Sequence, residues 1–509
     1  MSMESGGLVA ADEQDGNKRL LFWGCFFALV ATAFGFVVRT QVIKNWGSEF
    51  GLTETQKGEI FGVGLWPFAP SIVLFSLVID QIGYGKAMVF AFFCHVTSAI
   101  LTVFAKGYDS LYWATFLMAI GNGTVEAVIN PVVATMYPHA KTKWLSILHA
   151  GWPGGLVLGG ILAIALGDDS GWKIKVGLIF IPTVLYALLL IGRHFPVQER
   201  VKAGVSYKSM LQEAGFVVAA LVIFLVVREI GRVFEIPMGF QWAAIGFIAL
   251  AYAVYVRAIG RWMFIVLTLI MIPLATTELG TDSWITPLME REMANLEVNP
   301  GWVLVYTSLI MMVLRFFAGA IVHRLSPLGL LAVSSLVAAI GLYSLSVTTG
   351  VVILVAATIY GFGKTFFWPA MLGLVSEQFP KGGALTLNAV SAVGMLSVGI
   401  LGLPFLGYIQ DNYIDKSLKQ DHTVLHDKLV GQEHQSFFGS YSAIDSAKLE
   451  AASPDEKATV AGVQEGARKN VLRTATIFPI IMLTCYLLLM GYFRARGGYR
   501  PVELPTSGG

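Results

Sequence analysis

Charge is scarce in this chain. Of 509 residues only 13% are Asp, Glu, Lys or Arg, against roughly 25% in soluble domains, which argues against a water-soluble globular fold. The net charge of +2 gives no ground for a nucleic-acid partner. Cysteine is scarcer still. Cys25, Cys94 and Cys485 each lie in an apolar run, where a thiol fills space and builds neither a disulfide framework nor a metal site. There is no G-x-x-x-x-G-K-[ST], no H-E-x-x-H and no G-x-S-x-G, so we expect no enzyme, no ATP-driven pump, no cofactor and no metal. The first 18 residues hold Glu4, Asp12, Glu13 and Asp15 and lack a basic start; they read as a disordered polar tail, not a cleaved signal peptide.

What is present is long apolar runs. The chain is 55% hydrophobic with 54 glycines and a mean hydropathy of +0.68. A spanning helix needs roughly 20 apolar residues. Six such runs fall at about 20–42, 57–79, 86–105, 111–137, 143–166 and 174–194, two at about 214–234 and 241–257, and six at about 262–285, 302–322, 328–347, 351–376, 384–409 and 471–493. The expected fold is an all-α polytopic membrane protein of 14 spans. Lys and Arg set its orientation. With the N-terminus inside, Lys18, Arg19, Lys86, Lys141, Lys143, Arg193, Arg200, Lys202 and Lys208 fall inside, against Lys44, Lys106, Lys173 and Lys175 outside. Both termini are therefore expected in the cytoplasm and 411–470 outside. The expected division is a tail at 1–18, a six-helix bundle at 19–194, a linker with two inserted helices at 195–258, a second bundle at 259–494 and a tail at 495–509.

The stretch Ile120-Gly-Asn-Gly-Thr-Val-Glu-Ala-Val-Ile-Asn-Pro131 places Glu126 in the middle of a run, with Asn130 one turn later. A carboxylate within a span marks a functional site by default, and a purely structural pair is the alternative. Pro131 opens the backbone ladder there. Lys364 lies at similar depth in the matching second-half run, so it and Glu126 are expected to face each other. Arg39 is either a solute ligand or an interface anchor. Glu278 and Asp282 are one turn apart. Trp66, Trp152, Trp284 and Trp368 are candidate stacking platforms, with packing the commoner use of each. Asn122, His149 and Asn388 complete the polar set. Gly151, Gly155 and Gly159 form a small-residue stripe, read as static packing or as a moving seam. His422 and His426 have a spacing that fits one helix face, but scattered loop histidines are the simpler reading.

The halves repeat weakly. Asp80, Gly83 and Lys86 follow the second run, and His323 and Arg324 occupy the corresponding place in the second half; Gly121-Asn-Gly123 and Tyr137-Pro138 reappear as Gly361-Phe-Gly363 and Phe379-Pro380. Parallel six-span repeats put the solute site at their interface near the bilayer midplane. The plan and the Asp80 loop resemble the major facilitator superfamily, in which that loop latches the cytoplasmic gate. Gln81 stands where the family usually has Arg. The stretch from Glu126 through Pro131, Pro138 and His149 resembles the fucose–galactose–proton symporter branch, which implies sugar binding and proton coupling at Glu126. The expected function is secondary active transport of a small polar solute by alternating access, with a sugar-like solute favoured. Proton coupling stays open, because the first run carries Arg39 and no carboxylate, a departure from that branch. The alternatives are an exporter of organic anions or drugs and a non-transporting sensor or scaffold on the same fold. The expected partners are a small polar solute, protons if coupled, and the bilayer, with the chain a monomer in the cell membrane.

Overall fold

The computed structural model describes residues 2–167, 170–297, 302–322, 324–436 and 438–504. His323, expected in the second gate loop, lies outside the described residues. Thirteen described helices are long and apolar enough to cross a membrane. In the first half these are Asp15–Phe50, Gln56–Ile82, Tyr84–Val103, Tyr108–Met136, Lys141–Ala165 and Trp172–Leu190. Tyr207–Val233 and Met238–Val256 form the inserted pair. Trp262–Met293, Pro327–Val347, Val352–Gln378, Pro380–Asp421 and Pro454–Ala495 complete the second half. The run at 302–322 departs from expectation. Its helix Trp302–Phe316 is short, and Phe317 separates it from Ala318–Val322. The expected coil at the N-terminus is helical from Ser2, in keeping with its lack of Pro.

Several spans are broken at positions the sequence explains. Thr53 caps Glu54–Val63 with a capping box to Gln56. That helix ends at Gly64, and the next, Phe68–Ile82, begins after Pro67. Pro273 precedes a π-turn at Thr276–Gly280, where Thr281 N donates to Thr276 O at 3.2 Å. A second π-turn, Val398–Gly402, precedes Pro404. The two π-turns touch: a Cβ on Gly402 would lie 2.5 Å from Thr276 Oγ1.

The glycine stripe of the fifth span is a packing seam within the first half. A Cβ on Gly151, Gly155 or Gly159 would come within 3 Å of Phe26 O, Ala33 Cβ or Val37 Cγ1 on the first span. In the 411–470 segment the long helices Leu403–Asp421 and Pro454–Ala475 extend from the flanking spans. Between them lie two short helices and an antiparallel hairpin, Val430–Ser436 with Gly439–Ile444; these two strands are an addition to the expected all-helical plan. Ser453 caps the helix Pro454–Ala475, with Pro454 at its first position.

One close approach can be tested directly. A Cβ on Gly123 would lie 2.2 Å from Phe68 O, whereas one on Gly62 meets nothing within 4 Å. Gly123→Ala should cost about 1–3 kcal/mol by forcing two helices apart, read as a lower melting temperature of the purified protein. Gly62→Ala should be neutral or stabilising.

Candidate functional site

Glu126 and Asn130 project from one face of Tyr108–Met136 into the protein interior. Asn130 Nδ2 donates to Glu126 Oε2 at 2.6 Å, and Asn130 Oδ1 lies 2.9 Å from His149 Nε2. All three side chains are buried. Pro131 has no N–H, so the carbonyl of Ala127 loses its partner within the helix. Asn388 supplies the replacement: its Nδ2 donates to Ala127 O at 3.1 Å from the other half. Asn388 Oδ1 and Ser391 Oγ, on the same second-half helix, are buried with no partner among the described residues.

The second-half counterpart is built on a broken helix. Val352–Lys364 ends, and Phe367–Gln378 begins, leaving carbonyls and N–H groups unpaired at the break. Arg315 and Glu278 occupy it. Arg315 Nε donates to Thr365 O at 2.7 Å, and Glu278 Oε2 accepts from Trp368 N at 3.1 Å. A cation thus meets a helix C-terminus and an anion a helix N-terminus. The two close an ion pair at 2.9 Å, with side chains 2% and 5% exposed. Arg315 Nη1 also donates to His149 O at 2.9 Å, tying this pair to the first half. Arg315 is not among the residues singled out from sequence. It lies in the run 302–322, and the rule that flags Glu126 and Arg39 flags it equally.

Lys364 does not face Glu126, contrary to the expectation from depth. It binds Asp282 at 2.6 and 2.8 Å and the carbonyl of Glu278 at 3.3 Å. The π-turn directs Glu278 to Arg315 while Asp282 reaches Lys364. The Asp282 side chain is 49% exposed, so water reaches this pair while the Arg315 pair is dry. Arg39 is buried with its guanidinium against Gly64. Unlike Arg315 and Lys364, it has no ion pair among the described residues.

Three expected site residues lie elsewhere. Asn122 Oδ1 bonds His95 Nε2 at 3.0 Å, and His95 Nδ1 lies 3.2 Å from Tyr186 OH, a polar relay inside the first half. Trp66 packs on Phe116 and on Phe234 of the inserted pair. Trp152 packs on Phe36 in a small apolar cluster with Val37 and Leu304. Trp368 does reach the centre, through its backbone N–H. Sequence spacing could not separate these cases, because it does not fix which face of a helix meets which neighbour.

The Major Facilitator Superfamily profile matches residues 20–404. The chain belongs to the major facilitator superfamily. Solved members share its fold. The proton:xylose symporter XylE aligns with a TM-score of 0.62 at 14% identity, covering 96% of this chain and 98% of that one. The human organic anion transporter MFSD10 gives 0.58 at 12% identity, covering 92% and 99%. The E. coli fucose:proton symporter FucP gives 0.53 at 14% identity, covering 91% and 98%. A curated relative, the cis,cis-muconate transport protein of Acinetobacter baylyi, is 25% identical over 185 residues, 36% of this chain and 43% of that protein. The chain thus matches less than half of that relative's length.

Superfamily loop residues sit at the end of the bundle that carries both described chain ends. Asp80 pairs with Arg200 of the linker between the halves; Gly83 provides the turn with φ 84°. Lys86 and Arg324 are exposed, and among the described residues neither has an ion pair. The halves are bridged there by residues outside the expected loop. Thr142 Oγ1 donates to Glu377 Oε1 at 2.7 Å, and Lys141 binds Ser376 O at 3.2 Å and Glu199 at 2.7 Å. The C-terminal tail straps Glu377 and Gln378, the second-half side of this bridge, from within its own half. Tyr499 OH donates to Glu377 Oε2 at 2.7 Å, Val502 N to Glu377 O at 2.8 Å, and Gln378 Nε2 to Arg500 O at 2.8 Å. At the opposite end, His426 lies between Asp415 and Asp427, at 2.9 and 3.1 Å. Hydrogen bonds to Asp415 and then Asp427 raise its pKa, which favours imidazolium over a metal ligand. No described group of three His, Cys, Asp or Glu side chains could hold a metal ion.

Substitutions at the central pair and at the strap test these roles. Arg315→Met strands Glu278 in a dry site and should cost about 3–5 kcal/mol, whereas Arg315→Met with Glu278→Leu should recover most of it. Melting curves of detergent-purified protein decide this, and a double variant as unstable as the single contradicts it. Tyr499→Phe removes one bond of the strap, worth about 0.5–1.5 kcal/mol. In a background without native cysteines, buried Ser146→Cys should then react with a maleimide roughly two- to tenfold faster. An unchanged rate would show that the strap does not hold the junction closed.

Proposed function

We propose that this chain is a secondary transporter of a small carboxylate-bearing solute, moved by alternating access between its two halves. The observation that carries the solute class is Arg39. Buried charges are expensive without a partner. Arg315 and Lys364 each have a carboxylate, and Arg39 has none among the described residues. An anionic solute supplies the missing counter-charge and matches the five fixed donors of a guanidinium. The muconate transport protein and the organic anion transporter among the similar proteins support this class. A neutral sugar is the second reading. It is favoured by Asn388 Oδ1 and Ser391 Oγ, which have no partner among the described residues and suit a hydroxyl, and by the xylose and fucose symporters.

In this reading Arg39, Glu126, Asn130 and His149 line the solute pathway from the first half, and Trp368 and Asn388 from the second. Glu126 meets an amide and, among the described residues, no cation, so it is the group suited to carry a proton. The bonds from Arg315 to His149 O and from Asn388 to Ala127 O cross between the halves, and rocking breaks and remakes them. The Asp80–Arg200 pair and the Thr142–Glu377 bridge form the gate at the end carrying the termini, which we place in the cytoplasm from the Lys and Arg distribution.

Uptake into proteoliposomes tests the reading with labelled cis,cis-muconate, other small carboxylates and monosaccharides. Arg39→Gln should raise KM for the carboxylate roughly ten- to hundredfold, the loss of a hydrogen bond to a charged group, and leave any sugar flux alone. Glu126→Gln should still exchange solute but fail to accumulate it under an imposed pH gradient. Sugar uptake with no carboxylate uptake would overturn the anion assignment, and ligand binding without flux would favour a sensor.

A further inference from the structure

The inserted pair carries a feature that solute transport does not use. On Met238–Val256, residues Phe247, Leu250, Ala251 and Val254 recur at helical spacing on one face. Phe247 is 76% and Leu250 66% exposed. With Tyr255 they line a surface groove of about 660 Å³, whose end is closed by Lys208 and Arg257. Both cations are exposed, and among the described residues neither meets a carboxylate. The nearby Glu213 is 3.9 Å from Arg261 instead. Lys208 Nζ lies 5.9 Å from the centre of the Tyr255 ring, and Arg257 Nε donates to Val254 O at 3.2 Å.

The backbone at Arg257 is held in place. Arg257 ends its helix in the left-handed region, with φ 53°. The chain after it docks on the neighbouring helix, where Phe216 N and Val217 N donate to Ala258 O and Ile259 O at 2.9 and 3.2 Å. That docking needs Gly215 and Gly260, because a Cβ on Gly215 would lie 2.1 Å from Gly260 Cα. From Phe247 to Arg257 the helix rises about 15 Å, which is half of a hydrocarbon core of roughly 30 Å. The groove therefore spans one leaflet, apolar along its length and cationic at its end.

We propose that this groove holds one anionic phospholipid, its phosphate between Lys208 and Arg257 and an acyl chain along the Phe247–Val254 stripe. A soluble phosphate would satisfy the cations and leave the stripe bare; a zwitterionic lipid would fill the stripe and bring no net charge to the cations. The inserted helices then act as a lipid-reading attachment to the transporter fold.

Native mass spectrometry of the full chain, released from detergent with phosphatidylglycerol or phosphatidylcholine added, tests this. The wild type should retain one phosphatidylglycerol in preference to phosphatidylcholine, and added salt should weaken that adduct. Each basic residue near an anionic headgroup contributes roughly fivefold, so Lys208→Gln with Arg257→Gln should weaken retention about 30-fold. Arg228→Gln, at the other end of the same pair, should not. Equal retention of both lipids by the wild type, or unchanged phosphatidylglycerol retention in the double variant, overturns the proposal. So does a salt-insensitive adduct, which needs no variant to fold.

Discussion

The Arg315–Glu278 pair is the constraint on which the second half is arranged. A charge in a dry membrane interior is expensive unless it is paired and hydrogen-bonded. The Val352–Gln378 span is broken so that one helix end offers Thr365 O and the next offers Trp368 N. The Trp262–Met293 span takes a π-turn that delivers Glu278 to that break. The remaining donor of Arg315 reaches the carbonyl of His149. One ion pair thus caps two helices, fixes a third and touches the opposite half.

The first half solves the matching problem without a cation. Pro131 frees the Ala127 carbonyl, and Asn388 of the other half satisfies it. Glu126 is held by Asn130, which is held by His149. The two polar clusters meet at His149, whose ring belongs to one and whose carbonyl belongs to the other. Small-residue seams such as Gly155 on Val30 keep each half together, while polar bonds at the centre and at Thr142–Glu377 join the halves. The second kind can exchange partners without unpacking a core, as a rocking motion between two bundles requires.

Much of this architecture is legible in the sequence. Apolar run lengths give the helical membrane fold, and Ser453-Pro454 marks a helix start. Glu126, Asn130 and His149 stand out as polar groups in apolar runs, and they do meet. Pairing across helices is not legible. Lys364 stands at the depth of Glu126 but turns to Asp282, because depth along a helix says nothing about rotation around it. A π-turn adds a residue to one turn and rotates the helix beyond it, so Glu278 and Asp282 part company despite their spacing. Asn122 and Trp66 have the right chemistry on faces that meet their own half or the inserted pair. The strap from Tyr499 to Glu377 links residues 122 apart in sequence, beyond any local pattern.

Alternation between two arrangements of the halves is most directly tested by a distance across the gate. Exposed His139 and Lys381 sit at the end carrying the termini, one in each half. Spin labels at His139→Cys and Lys381→Cys, in a background without Cys25, Cys94 and Cys485, report their separation by pulsed electron resonance in lipid nanodiscs. A closed population should dominate at rest, and a second, wider population should grow when a transported solute is added or when Thr142→Ala removes its bond to Glu377. A single distance, unmoved by solute and by Thr142→Ala alike, would contradict alternating access at this junction.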